Sequence, residues 1–303
     1  LDLVPPSLAL QRLLEALRPP APLTERCLTS QAAGRTLGED VFSPEDLPSF
    51  SRSMMDGYAV HARDTFGASD SLPAYLILGP DTPMGRAPCF SLPAGQASLI
   101  HTGGMLPEGA DAVIMMENTQ ATGSGELEVL RPVGVSENIL KVGEDLRSGQ
   151  QVFFAGRRLR PADIGSLMAL GITEILAAVP PRVAVLSSGD EVVPPDCKPT
   201  PGQVRDINSY SLGSLITQSG GVPVFYGIIP DHHDALFGAL QKALQECDAI
   251  VITAGSSASA RDLTAGVIGE MGQPGVLVHG VSVRPGKPTI LAACKGKAII
   301  GLP

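Results

Sequence analysis

The chain has 303 residues, of which 44% are hydrophobic and 17% charged, a composition that excludes a disordered protein and allows several domains. Acidic residues (31) outnumber basic ones (22), giving a formal net charge of -9, and no basic stripe is visible, which argues against nucleic acid as a partner. The five cysteines are widely spaced without a Cys-x-x-Cys pair, which predicts reduced thiols in a cytoplasmic protein. No apolar run reaches 18 residues, so no membrane span is predicted.

The first half of the chain reads as a helical segment followed by a β-rich region. Residues 7–17 place leucines at helical spacing, which predicts a helix with Ser7 as its N-cap, ended by two prolines. Residues 48–140 alternate short apolar runs with Gly/Pro turns, a pattern typical of β-strands. Residues 161–171 begin with proline and end with glycine, which predicts a second helix.

From about residue 180 the pattern changes to alternating strands and helices. The runs RVAVLSS, VPVFYGII and DAIVITAG are predicted strands, and helices between them are expected to bury Leu212, Leu215 and Ile216 in one case and a leucine stripe in the other. This alternation predicts an α/β domain with a doubly wound parallel sheet. Ligands of such sheets bind at the carboxyl ends of the strands.

Small residues and carboxylates follow these predicted strands. They are Ser188, Gly189, Asp190 and Glu191 after the first strand, Asp231 after the second, Gly255, Ser256, Ser257 and Asp262 after the third, and Pro303 after the run KAII. Gly/Ser loops let backbone N–H groups approach phosphate oxygens, and carboxylates suit Mg²⁺. Each residue also has an ordinary alternative, since Asp231 and Asp262 could cap helices and Asp190 could lie in a solvated loop. Their convergence on one sheet edge favours a ligand site.

Other motifs are ambiguous from sequence alone. Asp56-Gly57 is a strong hairpin-turn signal, and the Thr102-Gly103-Gly104 stretch is an ordinary turn by composition. The adjacent His232 and His233 cannot easily face one metal, so they are expected to be exposed. The common phosphate-loop, dinucleotide-binding, serine-hydrolase and zinc-protease motifs do not occur.

Six motifs in order resemble a known family. They are SMMDGYAV, IHTGGMLPEGADAVIMMENT, GEDLRSGQ, VAVLSSGDEVV, PGQVRDINSY and VRPGKP, and they resemble the MoeA family, whose animal relative is the C-terminal part of gephyrin. The resemblance runs from about residue 5 to 303 and implies an elongated dimer of multidomain α/β chains. It implies a helical linking domain (1–47 and 141–179), a β-rich domain (48–140) and a domain similar to molybdopterin-binding adenylyltransferases (180–303). That last domain is expected to be incomplete at its C-terminus, and the family's C-terminal β domain to be absent.

The resemblance implies a molybdopterin molybdenumtransferase. Such an enzyme inserts molybdate into adenylylated molybdopterin, with Mg²⁺, and releases AMP. The family's catalytic residues fall on Asp56, Thr102, Asp145, Glu191, Asp231 and Asp262, of which Glu191, Asp231 and Asp262 are the implied magnesium ligands. Arg284, Lys287 and Pro288 form the stretch near the oxyanion, and Pro303 closes the Gly-Leu-Pro turn. A basic pair would attract molybdate in an otherwise acidic protein.

The sequence also departs from the family pattern. The loop AGSSASARD is poorer in glycine than usual, Gly280 stands where a lysine is common, and Arg284 replaces a lysine. The alternatives are a non-catalytic pterin-binding or scaffold protein on the same fold, and a pterin-binding member with altered specificity. Asp56 and Thr102 lie far in sequence from Glu191, so a second domain is expected to complete the pocket. A homodimer partner is favoured for this role, and the molybdopterin adenylyltransferase is a further candidate partner.

Overall fold

The computed structural model describes residues 3–17, 19–253 and 258–303, with side chains throughout except those of residues 258–261. The chain divides into two compact units. Unit 1 comprises Leu1–Gly38, Gly156–Ile164 and Thr173–Pro303, and unit 2 comprises Glu39–Ala155 and Gly165–Ile172. The predicted assignment of residues to three domains stays a prediction.

Short elements dominate the chain, as its many glycines and prolines predict. The helices are α1 (Pro6–Ala16), α2 (Pro161–Ala169), α3 (Asn208–Gln218), α4 (His233–Glu246) and α5 (Ala258–Glu270). The strands are β1 (Thr24–Leu28), β2 (Val41–Phe42), β3 (Arg52–Ser53), β4 (Gly57–Val60), β5 (Ala74–Leu78), β6 (Gln96–Ile100), β7 (Ala112–Met115), β8 (Thr119–Ala121), β9 (Glu126–Val129), β10 (Ile139–Leu140), β11 (Gln151–Phe153), β12 (Glu174–Ala178), β13 (Arg182–Ser188), β14 (Val192–Val193), β15 (Val204–Arg205), β16 (Val222–Ile229), β17 (Ala249–Thr253), β18 (Pro274–His279), β19 (Ile290–Cys294) and β20 (Lys297–Leu302).

Unit 1 is built on a six-stranded sheet with the order β16-β13-β17-β20-β19-β18. The first four strands are mutually parallel, which confirms the predicted parallel α/β architecture, whereas β19 and β18 run antiparallel at one side. The centre of β13 is a continuous buried run, as expected for a strand covered on both faces. Leu186, Ile250 and Ile252 of the sheet pack with Leu236 and Leu240 of α4 in one fully buried cluster.

Helix α1 belongs to unit 1 and differs from its prediction at its N-cap. It begins at Pro6 with Pro5 as N-cap, so the predicted Ser7 cap is wrong: a proline at the first helical position presets φ and has no N–H to satisfy. The buried residues are Ala9 and Leu13, and Ala9 packs with Val4, Val278 and Val281. The leucines at positions 10 and 14 are 54% and 60% exposed.

Helix α3 follows its predicted inward face only in part. Leu212 and Ile216 are half-buried and Leu215 is exposed, while the fully buried positions are Ser209 and Gly213. A Cβ at Gly213 would lie 2.5 Å from Cζ of Phe225, so the helix packs onto β16 through a residue with no side chain. Gly220 ends the helix region with φ +92°, as its predicted terminating role requires.

Unit 2 contains a second six-stranded sheet with the order β7-β4-β6-β5-β9-β8. Its pairs are antiparallel except β5 with β6. Val60, Leu76, Ala97, Ile114 and Leu127 form its buried core, and this sheet confirms the predicted β-rich region.

Two general properties follow from the described residues. None of the helices in these ranges is long and apolar enough to cross a membrane. The five cysteines are free thiols, two of them buried, in agreement with the predicted absence of a disulfide framework.

Candidate functional site

The parallel strands of unit 1 end along a single sheet edge. Ser188 of β13 is in register with Ile229 of β16. On the other side of β13, Ser187 is in register with Thr253 of β17. Thr253 is in turn aligned with Leu302 of β20. The carboxyl ends of these strands therefore gather at one edge, as the sequence predicted, because neighbouring strands lie about 4.8 Å apart.

The basic loop reaches the same edge by a different route. Strand β19 runs antiparallel to β20 and begins at Ile290, which pairs with Gly301, while β18 ends at His279 opposite Ile290. The loop of residues 280–289 between β18 and β19 is thus placed at the carboxyl ends of the parallel strands.

Internal hydrogen bonds hold this loop in shape. The N–H of Val281 donates to the Lys287 carbonyl at 2.9 Å, and the hydroxyl of Thr289 donates to the Gly286 carbonyl at 2.7 Å. Arg284 and Lys287 are exposed and Pro288 is half-buried. The loop therefore presents two cations to solvent while its backbone satisfies itself internally.

A serine and two aspartates form a hydrogen-bonded group after β13 and β16. The Ser188 hydroxyl donates to Oδ1 of Asp231, and the Asp231 N–H donates to Oδ1 of Asp190 at 3.3 Å. Ser188 is only 2% exposed, so its hydroxyl is committed to orienting the Asp231 carboxylate. Direct contact of Ser188 with a substrate stays a prediction.

Gly189 is required by its surroundings. Its φ is +148°, and a Cβ there would lie 2.8 Å from Oε2 of Glu191 and 2.9 Å from a methyl of Val192. Any side chain at this position would displace Glu191, so glycine lets the chain leave β13 with Asp190 exposed and Glu191 half-buried.

The three predicted magnesium ligands follow neighbouring strands of the sheet. Glu191 follows β13, Asp231 follows β16, and Asp262 lies on α5 after β17. Asp262 is exposed and sits four residues inside α5, so its alternative role as N-cap is wrong. Within the described ranges no group of three or more His, Cys, Asp or Glu residues could hold a metal ion. The three-carboxylate site stays a prediction, although Mg²⁺ needs only one or two protein carboxylates, and the linked Asp190 and Asp231 are oxygen donors of that kind.

The remaining predicted residues of this edge are Gly255, Ser256, Ser257 and Pro303. Gly255, Ser256 and Ser257 lie outside the described residues. Pro303 follows β20 directly and is exposed.

Asp56 and Thr102 come together in unit 2. Oδ1 of Asp56 accepts the Thr102 N–H at 2.8 Å and the Thr102 hydroxyl at 3.1 Å. These bonds, the backbone one first, hold the pKa of the exposed Asp56 carboxyl below its usual value. His101 adds to the effect, with Nδ1 3.6 Å from the same oxygen. The sequence analysis missed His101, although its position next to Thr102 was the available signal.

The Asp56-Gly57 pair is not a hairpin turn. Gly57 begins β4, and a Cβ there would lie 1.9 Å from the carbonyl oxygen of Ile114 on β7. The glycine is therefore needed for close approach of two strands. This outcome removes the ordinary alternative for the motif and leaves Asp56 free to act through its side chain.

Asp145 occupies a separate loop of unit 2. It is exposed, and its N–H donates to the Leu47 carbonyl at 3.0 Å. It follows β10, which pairs antiparallel with β3, so the loops carrying Asp145 and Asp56 leave this short ladder in opposite directions. No described contact joins Asp145 to Asp56.

His233 is exposed, as predicted, but has partners. Its Nδ1 lies 3.0 Å from Asp234 and its Nε2 lies 3.1 Å from Glu270, the last residue of α5. These carboxylates, Asp234 first, raise the pKa of the imidazole. The contact joins α4 to α5.

Comparisons with known proteins match almost the whole chain. A model of the MoeA N-terminal region (domain I and II) matches residues 4–171, and a model of a probable molybdopterin binding domain matches residues 184–303. A putative molybdopterin biosynthesis protein of Methanocaldococcus jannaschii is 36% identical over 85% of this chain and 64% of its own length. A molybdopterin molybdenumtransferase of Nostoc sp. is 33% identical over 86% of this chain and 59% of its own.

A solved structure agrees with these matches. The molybdopterin biosynthesis MoeA protein from Pyrococcus horikosii superimposes with a TM-score of 0.78 at 38% identity, over 100% of this chain and 75% of that one. The chain thus spans less than two thirds of the length of the two sequence relatives named above.

Proposed function

Since the chain belongs to the MoeA family, we propose that it acts as a molybdopterin molybdenumtransferase, which inserts molybdate into adenylylated molybdopterin and releases AMP. The observation that carries the proposal is the meeting of carboxylates and a basic loop at one sheet edge of unit 1. An anionic pterin pyrophosphate and an oxyanion need such a mixture in a chain whose net charge is negative.

Each residue of the sheet edge has a proposed role. Arg284 and Lys287 attract tetrahedral molybdate, with Pro288 and Pro303 shaping the loops around it. Gly189, Asp190 and the stretch Gly255, Ser256 and Ser257 bind the substrate, and Ser188 supports this surface by orienting Asp231. Their support is chemical: small residues admit close backbone approach, and the cations offset the ligand's charge.

Magnesium is proposed as the metal of the reaction. Glu191, Asp231 and Asp262 would hold it, and when bound it would offset negative charge as the phosphoanhydride bond breaks. The support is the oxygen-only donor set and the proximity of Asp190 to Asp231. Asp56, Thr102 and Asp145 are proposed as further catalytic residues, of which Asp56 is kept ionised by Thr102.

The proposed setting is the cytoplasm, with a homodimer as the working form. Free thiols at all five cysteines suit a reducing compartment. The molybdopterin adenylyltransferase is proposed as a partner, because its product would be this protein's substrate.

Asp262 provides the sharpest test of this function. We expect Asp262→Asn to slow single-turnover AMP release at least about tenfold at saturating Mg²⁺, because the variant loses a charge proposed to hold the metal. Thermal unfolding should be nearly unchanged, since Asp262 is exposed and makes no described side-chain hydrogen bond. Asp70→Asn, another exposed aspartate, is the matched control and should release AMP at the wild-type rate.

The same experiment separates enzyme from scaffold. If the wild-type chain binds adenylylated pterin but releases no AMP with molybdate and Mg²⁺, the non-catalytic alternative is correct. If the wild type is active and Asp262→Asn equals it, the metal must be assigned to Glu191 and Asp231 alone.

A further inference from the structure

A cavity of about 230 Å³ lies in unit 1 at the end of the sheet opposite the candidate site. Pro180 and Pro181 on its wall precede β13, and Gly220 precedes β16. The carboxylates described above follow the carboxyl ends of these two strands, about 20 Å away for a strand of seven residues. The cavity is therefore separate from the proposed catalytic edge.

Two arginines line this cavity, and both are fixed by hydrogen bonds. Arg158 donates from Nε to the Gly34 carbonyl at 3.2 Å and from Nη2 to the Gln218 carbonyl at 2.8 Å. Arg35 donates from Nη2 to Glu25 at 2.6 Å and to the Ala178 carbonyl at 3.0 Å. Held in this way, the guanidinium groups lose little further conformational freedom when a ligand binds.

One donor of the Arg35 guanidinium lacks a partner. Nε of Arg35 is buried and has no hydrogen-bond acceptor among the described residues. A buried N–H without an acceptor costs free energy. The described partners of Arg35 therefore leave part of the donor capacity of its guanidinium unused.

The charges around the cavity favour an anionic acceptor. The two guanidinium groups carry more positive charge than the negative charge of the Glu25 carboxylate and of the C-terminal end of α3 together. Arg158 already offsets part of the helix-end charge through its hydrogen bond to the Gln218 carbonyl. Val179, Pro180 and Pro181 add aliphatic wall to the cavity. The volume is well above the roughly 30 Å³ share of one water molecule.

We propose that this cavity binds a small inorganic oxyanion of the phosphate or molybdate class through Arg35 and Arg158. The site lies where the two family regions meet: Gly34, Arg35 and Arg158 belong to the first, Gly220 belongs to the second, and Val179 belongs to the segment between them. A bound oxyanion therefore braces this junction and stabilises unit 1. The inference does not depend on catalysis at the other sheet edge.

Calorimetric titration with phosphate, sulfate and molybdate tests the site. The parent protein in this titration is the Lys287→Gln variant, so that anion binding to the basic loop contributes less to the measured heat. We expect saturable binding at one site, weakened at least about tenfold (~1.4 kcal/mol) by Arg35→Gln. Arg26→Gln, which removes an exposed arginine of β1 outside the cavity, is the control and should bind like the parent.

A second variant leaves both arginines in place. Because replacing either arginine also breaks two of its hydrogen bonds, we choose Val179→Glu, which puts a carboxylate on the cavity wall at a partly exposed position. It should abolish both binding and the rise in unfolding temperature that phosphate gives the parent. Equal binding of all three anions means a general oxyanion site, and preference for molybdate means a dedicated one. No saturable binding, or binding unchanged in Arg35→Gln and Val179→Glu, overturns the proposal and assigns the cavity to water.

Discussion

At the residue scale, the largest effects on the pKa of Asp56 come from Thr102, which donates two hydrogen bonds to its carboxylate. Thr102→Val removes the hydrogen bond from the hydroxyl to Asp56. It keeps the hydrogen bond from the backbone N–H, which lowers the pKa of Asp56 more. We expect the pKa of Asp56 to rise relative to wild type and yet stay below its ordinary value. Carbon NMR titration of the carboxyl group measures this, with Thr122→Val as the control.

The sign of this effect follows from the direction of the pKa shift. A folded-state pKa below the unfolded value means that the contribution to stability is present above the unfolded pKa and is lost as pH falls through the folded one. If Thr102→Val returns the carboxyl to its ordinary pKa, the hydroxyl and not the backbone would be the main cause.

Single residues also show where sequence reasoning works. The carboxyl ends of the predicted parallel strands were correctly expected at one sheet edge, because strand direction in a parallel sheet fixes where each strand ends. The buried Ser188 was predicted as a substrate contact, and its bond to Asp231 could not be foreseen, because it depends on the relative depth of two loops. His101 was missed because its contact with Asp56 joins distant segments.

At the scale of elements, the first turn of α2 is fixed by Asp163. Its buried carboxylate accepts bonds from Arg157 at 2.9 Å and 3.1 Å, and from the N–H of Arg160 at 2.9 Å. These partners, Arg157 first, hold the pKa of Asp163 far below its usual range. We expect Asp163→Asn to cost about 1–3 kcal/mol, measured by urea unfolding with Asp70→Asn as the control.

The pH dependence of this group is a further check. The pKa of Asp163 is lower in the folded than in the unfolded protein. Its contribution to folding stability is therefore fully present above the pKa of the unfolded state and is lost as pH falls towards the pKa of the folded state. The difference between wild type and Asp163→Asn should therefore shrink in acid. A constant difference from neutral pH to strong acid would mean that shape, and not charge, stabilises the turn.

The α4–α5 contact through His233 has the opposite pH response. The pKa of His233 is raised in the folded protein. Its contribution to folding stability is therefore fully present below the pKa of the unfolded state and is lost as pH rises through the pKa of the folded state. We expect Asp234→Asn to lower the imidazole pKa more than Glu270→Gln does, because Asp234 has the larger effect. Proton NMR titration of the ring tests this, and the reverse order would contradict it.

Helix and strand positions followed well from sequence, whereas buried faces did not. Glycine and proline marked the ends of α2 and α3, but the leucine spacing of α3 did not indicate that Gly213 makes the close contact with β16. The antiparallel pair β18 and β19 was also unforeseen. These two strands pair beside β20, and no local sequence pattern indicates on which side of β20 the preceding segment will lie.

At the scale of the whole molecule, the homodimer is the prediction to test. Exposed leucines on α1 are apolar area of the kind that subunit contacts bury. We expect sedimentation velocity at micromolar concentration to give twice the 31.4 kDa of one chain. A monomer that releases AMP at full rate would refute the dimer as the working form.

The order of the segments has a consequence for how the protein is made. The residues of unit 2 lie between segments of unit 1 in the sequence, so they leave the ribosome close together. Val4 instead forms a β-bridge with Val281, which is synthesised much later. At ordinary translation speeds that wait is roughly 15 to 55 s. During this time the apolar residues Ala9 and Leu13 have no sheet to cover them, because α1 packs on β18 and β19, and we expect chaperones to protect the nascent chain until those strands are made.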